Sequence, residues 1–90
     1  MNLSQKITIP QTVLAQIVDD EMVLLETKSE HYFGLDIIGT IMWKQLEKEQ
    51  NLEKLKQYML NHYEVEEAQL MQDLETFLSH LAENQLIEIG

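Results

Sequence analysis

The sequence predicts an α+β fold, a three-stranded antiparallel sheet followed by three helices. Three observations carry that expectation. From Val13 to Leu35, β-branched and aromatic residues gather in short runs separated by the polar turns Asp19-Asp20-Glu21 and Lys28-Ser29-Glu30. At Leu35-Asp36 the apolar spacing changes from strand-like to helical without a linker. Beyond that point lie three periodic segments, of which Glu66 to Glu83 is the longest.

Taken in order, Pro10 opens the first structured segment of a single domain covering residues 1–90, with residues 1–9 expected as a flexible lead-in. Val13 to Val18 is a short apolar run that ends at the acidic triplet, which reads as strand and then turn. Met22 to Thr27 gives a second strand and His31 to Leu35 a third, an antiparallel meander with short loops. The next residue, Asp36, can cap a helix, because its carboxylate accepts free N–H groups of the first turn.

The first helix is expected from about Ile37 to Glu49. Ile38, Ile41, Met42, Gln45 and Leu46 form one stripe and Trp43 lies on the other side, so the helix should be wedged between two layers. Gly39 costs about 1 kcal/mol relative to alanine inside a helix, which suggests that a bulky ring or another backbone approaches it. Asn51 caps a second helix, with Leu52, Leu55, Met59 and Tyr63 on one face and an end near His62. In the third helix Leu70, Leu74, Phe77, Leu78 and Leu81 share a stripe, with acids concentrated toward its N-terminal half. Asn84 is expected to take the left-handed conformation that stops this helix, and Leu86 to Ile89 to form a short closing strand or tail. A small sheet on a helical trio whose last two members make a helix-turn-helix resembles a winged helix.

Charge excludes the obvious use of such a shape. Sixteen acidic residues stand against six lysines, with no arginine, for a net charge of −10. That balance repels a nucleic-acid backbone and an anionic membrane alike. The last lysine is Lys56, so the candidate recognition helix offers no cation to phosphates or base edges. A DNA-binding module is therefore the lesser alternative. No apolar stretch approaches the roughly 18–20 residues of a membrane span, and the N-terminus has no signal-peptide pattern. A chain without cysteine fits a reducing compartment, and a soluble cytoplasmic protein is expected.

Catalytic chemistry finds no support in the residues. His31, His62 and His80 fall on different elements, without metal-ligand spacing, a phosphate loop or a nucleophile order. His31 reads most simply as solvent-facing, and His80 lies on the polar side of its helix. The acidic triplet lacks the spaced oxygen ligands and glycine of a calcium loop and reads as a hairpin turn. No catalytic residue, metal or cofactor is expected.

The last strand is an edge, and an extended peptide can satisfy its free N–H and C=O groups by joining as another strand. A helix packed beside that edge would add side-chain pockets, here the apolar and acidic shoulder formed by Glu66, Leu70, Asp73 and Phe77. Such a groove suits an apolar peptide carrying a basic residue. An unoccupied edge strand can also pair with its own copy, giving a homodimer.

The run VLLETKSEHYFGLDIIGTIMW, with LEKLKQYMLNHYEVEE and LMQDLETFLSHLAENQLI after it, resembles the PqqD family, the RiPP recognition elements, from Pro10 to Ile87. The family pattern matches at Tyr32, Phe33 and Leu35-Asp36, at Gly39 and Trp43, and at Asp73, Leu74, Phe77, Leu78 and Leu81. Three departures stand out. Asp36 replaces the usual asparagine, Lys28-Ser29-Glu30 replaces a turn that commonly holds glycine, and Asn84-Gln85 stands where glycine often precedes the final leucine.

The resemblance implies that the leader segment of a ribosomally made precursor peptide binds as an added strand between the third strand and the third helix. His31, Tyr32, Phe33, Gly34 and Leu35 would form the docking edge. Leu70, Leu74 and Phe77 would seat apolar anchors, and Asp73 would pair with a polar or basic group. Leu35, Phe77 and above all Leu74 equally fit plain core. Two kinds of family member are similar to a chain of this free-standing size. One is the leader-binding protein of lasso-peptide clusters, which hands the precursor to a leader-removing cysteine protease. The other is the peptide chaperone of pyrroloquinoline quinone synthesis, which serves a radical SAM enzyme. General likeness favours the first, and no motif separates the two.

Overall fold

The computed structural model describes residues 2–90. Its elements run β1 (Ile7–Thr8), β2 (Val13–Val18), β3 (Glu21–Glu26), β4 (His31–Gly34), α1 (Ile37–Lys48), α2 (Leu52–His62), α3 (Glu67–Glu83) and β5 (Glu88–Ile89). The main sheet has the order β2-β3-β4, all antiparallel, so β2 and β4 are its two edges. The expected meander and helical trio are both present.

Turn chemistry sets the register. Asp19 and Asp20 have φ of 51° and 68°, the positive pair that a two-residue hairpin turn needs, and aspartate tolerates that region better than most side chains. Val18 therefore faces Glu21, which joins the strand instead of the turn. In the next loop Glu30 takes φ 59° in place of a glycine. The Glu26 carboxylate holds this loop by accepting from the Ser29 N–H at 2.9 Å and its hydroxyl at 3.1 Å. Those bonds, the backbone one foremost, keep Glu26 below the ordinary carboxylate range.

Met22 and Leu24 of β3 bury one sheet face against the helices. Asp36 caps α1 as expected, its Oδ1 accepting from Gly39 N–H at 2.7 Å. The helix then presents Gly39, Thr40, Met42, Trp43 and Leu46 to the core, and Ile37 and Ile38 to solvent. This corrects the expected stripe. Two stripes one residue apart compete on α1, and the winner buries the tryptophan ring, the larger apolar surface. The buried Thr40 hydroxyl fixes the choice by accepting the Met22 N–H at 2.8 Å, which ties α1 to β3.

Asn51 caps α2 through Lys54 N–H at 3.0 Å, and Leu52, Leu55 and Met59 are buried, while Tyr63 ends the helix exposed instead of on its stripe. Lys56 pairs with Glu67 at 2.6 Å and so links α2 to α3. In α3 the buried stripe is Leu70, Leu74, Leu78 and Leu81. Its end differs from expectation, because Asn84 has φ −97° and the left-handed residue is Gln85, at φ 61°. Leu86 N–H reaches Leu81 C=O at 2.9 Å and Gln85 N–H reaches Ala82 C=O at 3.1 Å, the paired bonds of a Schellman stop one residue later than the asparagine suggested.

The expected lead-in is also corrected. Met1 lies outside the described residues, but Ile7–Thr8 is a strand paired with β5, with Ile7 opposite Ile89. Ile7 has no exposed surface. A two-residue strand is too short to read from sequence, and only its distant partner reveals it.

Candidate functional site

The β4 edge is open. Leu35 donates its N–H to the Met22 carbonyl at 2.8 Å. Antiparallel pairs alternate, so Phe33, opposite Leu24, and His31, opposite Glu26, also direct their backbone groups into the sheet. Tyr32 and Gly34 consequently turn theirs outward. A Cβ built on Gly34, which lies opposite Val23 on the sheet face turned away from the helices, would meet nothing within 4 Å, so that face is uncovered there. Tyr32 is 73% exposed.

Between this edge and α3 lies a groove of about 460 Å³. Phe33, Gly34, Leu35 and Asp36 line it on the strand side, Ile38, Gly39 and Met42 on α1, and Asp73, Thr76, Phe77 and His80 on α3. Gly39 is the hinge of the packing. A Cβ there would lie 3.3 Å from the Phe77 ring and 3.2 Å from the Asp36 carboxylate, so the missing side chain lets Phe77 settle against α1. The result is an apolar floor with a carboxylate at each side, Asp36 and Asp73, and no lysine in the lining. Asp36 is engaged as the cap, whereas Asp73 is exposed and accepts from the neighbouring Gln69 amide at 2.9 Å.

Of the sequence-predicted site residues, Phe33, Gly34, Leu35, Asp73 and Phe77 meet in this groove. His31 and Tyr32 stand on the strand but outside the lining, both exposed. Leu70 and Leu74 do not reach it, being 3% and 0% exposed in the core. Glu66, at the start of α3, does not line it either. The reason is helical phase. Asp73, Thr76, Phe77 and His80 form a stripe adjacent to the leucine stripe, and the groove takes that one. The sequence does not single out Asp36, Ile38, Gly39, Met42, Thr76 and His80 as lining residues; His80, on the polar side of its helix as expected, is exposed and still borders the groove. Counting three, four and seven residues from Asp73 would have found Thr76, Phe77 and His80.

No group of His, Cys, Asp or Glu among the described residues is placed to hold a metal ion. No helix among them is long and apolar enough to cross a membrane. The strand edge, the groove and the helical trio together define a winged-helix-like domain with an open strand facing a helix. A family model described as coenzyme PQQ synthesis protein D (PqqD) matches residues 21–87, and the chain belongs to that family. No curated protein matches it. Among solved structures it is similar to TbiB1 in complex with the TbiA(beta) leader peptide, with 34% identity and a TM-score of 0.85 over 90% of this chain and 94% of that one. A lasso peptide synthetase B1 complexed with the leader peptide shares the fold at 22% identity, with a TM-score of 0.82 over 92% of this chain and 98% of that one.

Proposed function

We propose that this chain binds the leader segment of a ribosomally synthesised precursor peptide by strand addition to β4 and presents it to processing enzymes, catalysing no step itself. The observation that carries this reading is the pairing of a free strand edge with a groove. Tyr32 and Gly34 offer main-chain donors and acceptors, and Phe33, Ile38, Met42 and Phe77 offer an apolar seat directly beside them. Likeness to TbiB1, whose solved complex holds a leader peptide, supports the same reading. Asp73 would take a basic leader residue by a charge-assisted hydrogen bond. The processing partner we infer is the leader-removing cysteine protease of a lasso-peptide pathway, working in the cytoplasm. The description of the family model favours a second reading, in which the chain serves a radical SAM enzyme of quinone-cofactor synthesis.

The neighbouring reading frames supply both test and reagent. A short precursor gene beside a protease and a cyclase supports the first pathway, and a radical SAM enzyme beside it the second. The leader from that precursor, fluorescently labelled, should bind the wild-type chain. An absent precursor, or a leader that does not bind, would contradict the proposal.

A further inference from the structure

With β4 assigned to a peptide, the sheet keeps a second open edge. Thr27 N–H bonds to Thr12 C=O at 2.9 Å, and the alternation from that pair leaves Ala15 and Ile17 of β2 with their N–H and C=O groups facing away from β3. Edge strands are ordinarily blunted by a charge, a proline, a bulge or a covering segment. Within β2 there is none of the first two, and its pairing with β3 is unbroken over all six residues. Leu14, Ile17 and Val18 are 56%, 44% and 51% exposed.

Charge identifies the occupant. A copy of a chain with net charge −10 is repelled over most of its surface, yet no charged residue occurs between Lys6 and Asp19. Strand β2 is therefore the edge along which two copies can meet without like charges opposed. The strand is also complementary to itself. Paired antiparallel about a two-fold axis at Gln16, Ala15 of one copy faces Ile17 of the other, so the outward backbone groups bond in both directions. On the opposite face Leu14 covers Val18 of the second copy, and the two Gln16 amides meet at the axis. The acidic Asp19-Asp20 turns fall opposite Val13 and Thr12 of the second copy, not opposite each other.

We propose that the chain forms a two-fold dimer through β2, joining two three-stranded sheets into one and leaving a β4 groove open at each end. Such an isologous contact closes on itself, whereas β2 of one copy on β4 of the next would propagate into filaments. Sedimentation of the full chain over a dilution series should show twice the 10.6 kDa mass of one chain at high concentration. Ile17→Pro removes an N–H that the chain's own sheet does not use, so the fold should survive by circular dichroism while the mass returns to that of one chain. Gln16→Cys places the only thiols of a cysteine-free chain across the axis at a closely spaced, non-hydrogen-bonded pair. It should oxidise to a covalent dimer about tenfold or more faster than the exposed control Gln11→Cys, because pairing raises the effective thiol concentration. A single-chain mass at the highest soluble concentration, a dimer that persists in a folded Ile17→Pro, species larger than two chains, or equal rates for the two cysteine variants would each overturn the dimer. None of these readouts involves a leader peptide, so they stand apart from the binding proposal.

Discussion

Phe77 rests against Gly39, where an added Cβ would lie 3.3 Å from the ring, tighter than ordinary van der Waals contact. Gly39→Val should therefore overpack the junction and lower stability by about 1–3 kcal/mol, read as a shift in the denaturant midpoint. Phe77→Ala removes the largest apolar element on the helix side of the groove. Leader affinity should fall about tenfold, near 1.4 kcal/mol, with the circular dichroism spectrum nearly unchanged. Asp73→Asn should cost less, up to about 1 kcal/mol, and should flatten the salt dependence of binding, as expected of an exposed ion pair. Glu26 acts on stability through pH. Its carboxyl is held below the ordinary value of 4.5, chiefly by the Ser29 N–H, so its contribution is present above that value and lost as pH falls through the lower folded value. Glu26→Gln should accordingly flatten the acid limb of a plot of Tm against pH, and an unchanged limb would remove Glu26 from the acid response.

At the scale of elements, the β1–β5 ribbon is a structural clip closed at Ile7. Ile7→Ala should destabilise by about 2–5 kcal/mol, the range for truncating a fully buried isoleucine, and thermal unfolding checks it. A flexible lead-in would tolerate that change without effect. The ribbon was invisible in the sequence because its evidence is a partner roughly eighty residues away, and contact across such a loop leaves no local pattern. Elements with local signals were legible: the Asp36 and Asn51 caps and the leucine period of α3 lie where spacing and capping chemistry put them, and of the acidic turn only Glu21 moved, into the strand. The groove was legible as a strand edge beside α3 but not in its helical phase. Leu70 and Leu74 belong to the buried leucine stripe, and an apolar stripe does not reveal which of its flanks faces the open strand. The same ambiguity turned α1, where Trp43 and not Ile38 faces the core.

For the whole molecule, net charge sets the range of ligands. A winged-helix outline with no cation beyond Lys56 should not retard duplex DNA in a gel at ordinary salt, and salt-dependent retardation would contradict that expectation. The central claim is strand addition at β4, and hydrogen exchange measured amide by amide, with and without leader peptide, tests it most directly. The Tyr32 and Gly34 amides face outward in the free chain. Leader binding should slow their exchange about tenfold or more, as new ladder bonds protect them. Binding that leaves both amides exchanging as before, or that protects the Ala15 and Ile17 edge instead, would contradict it.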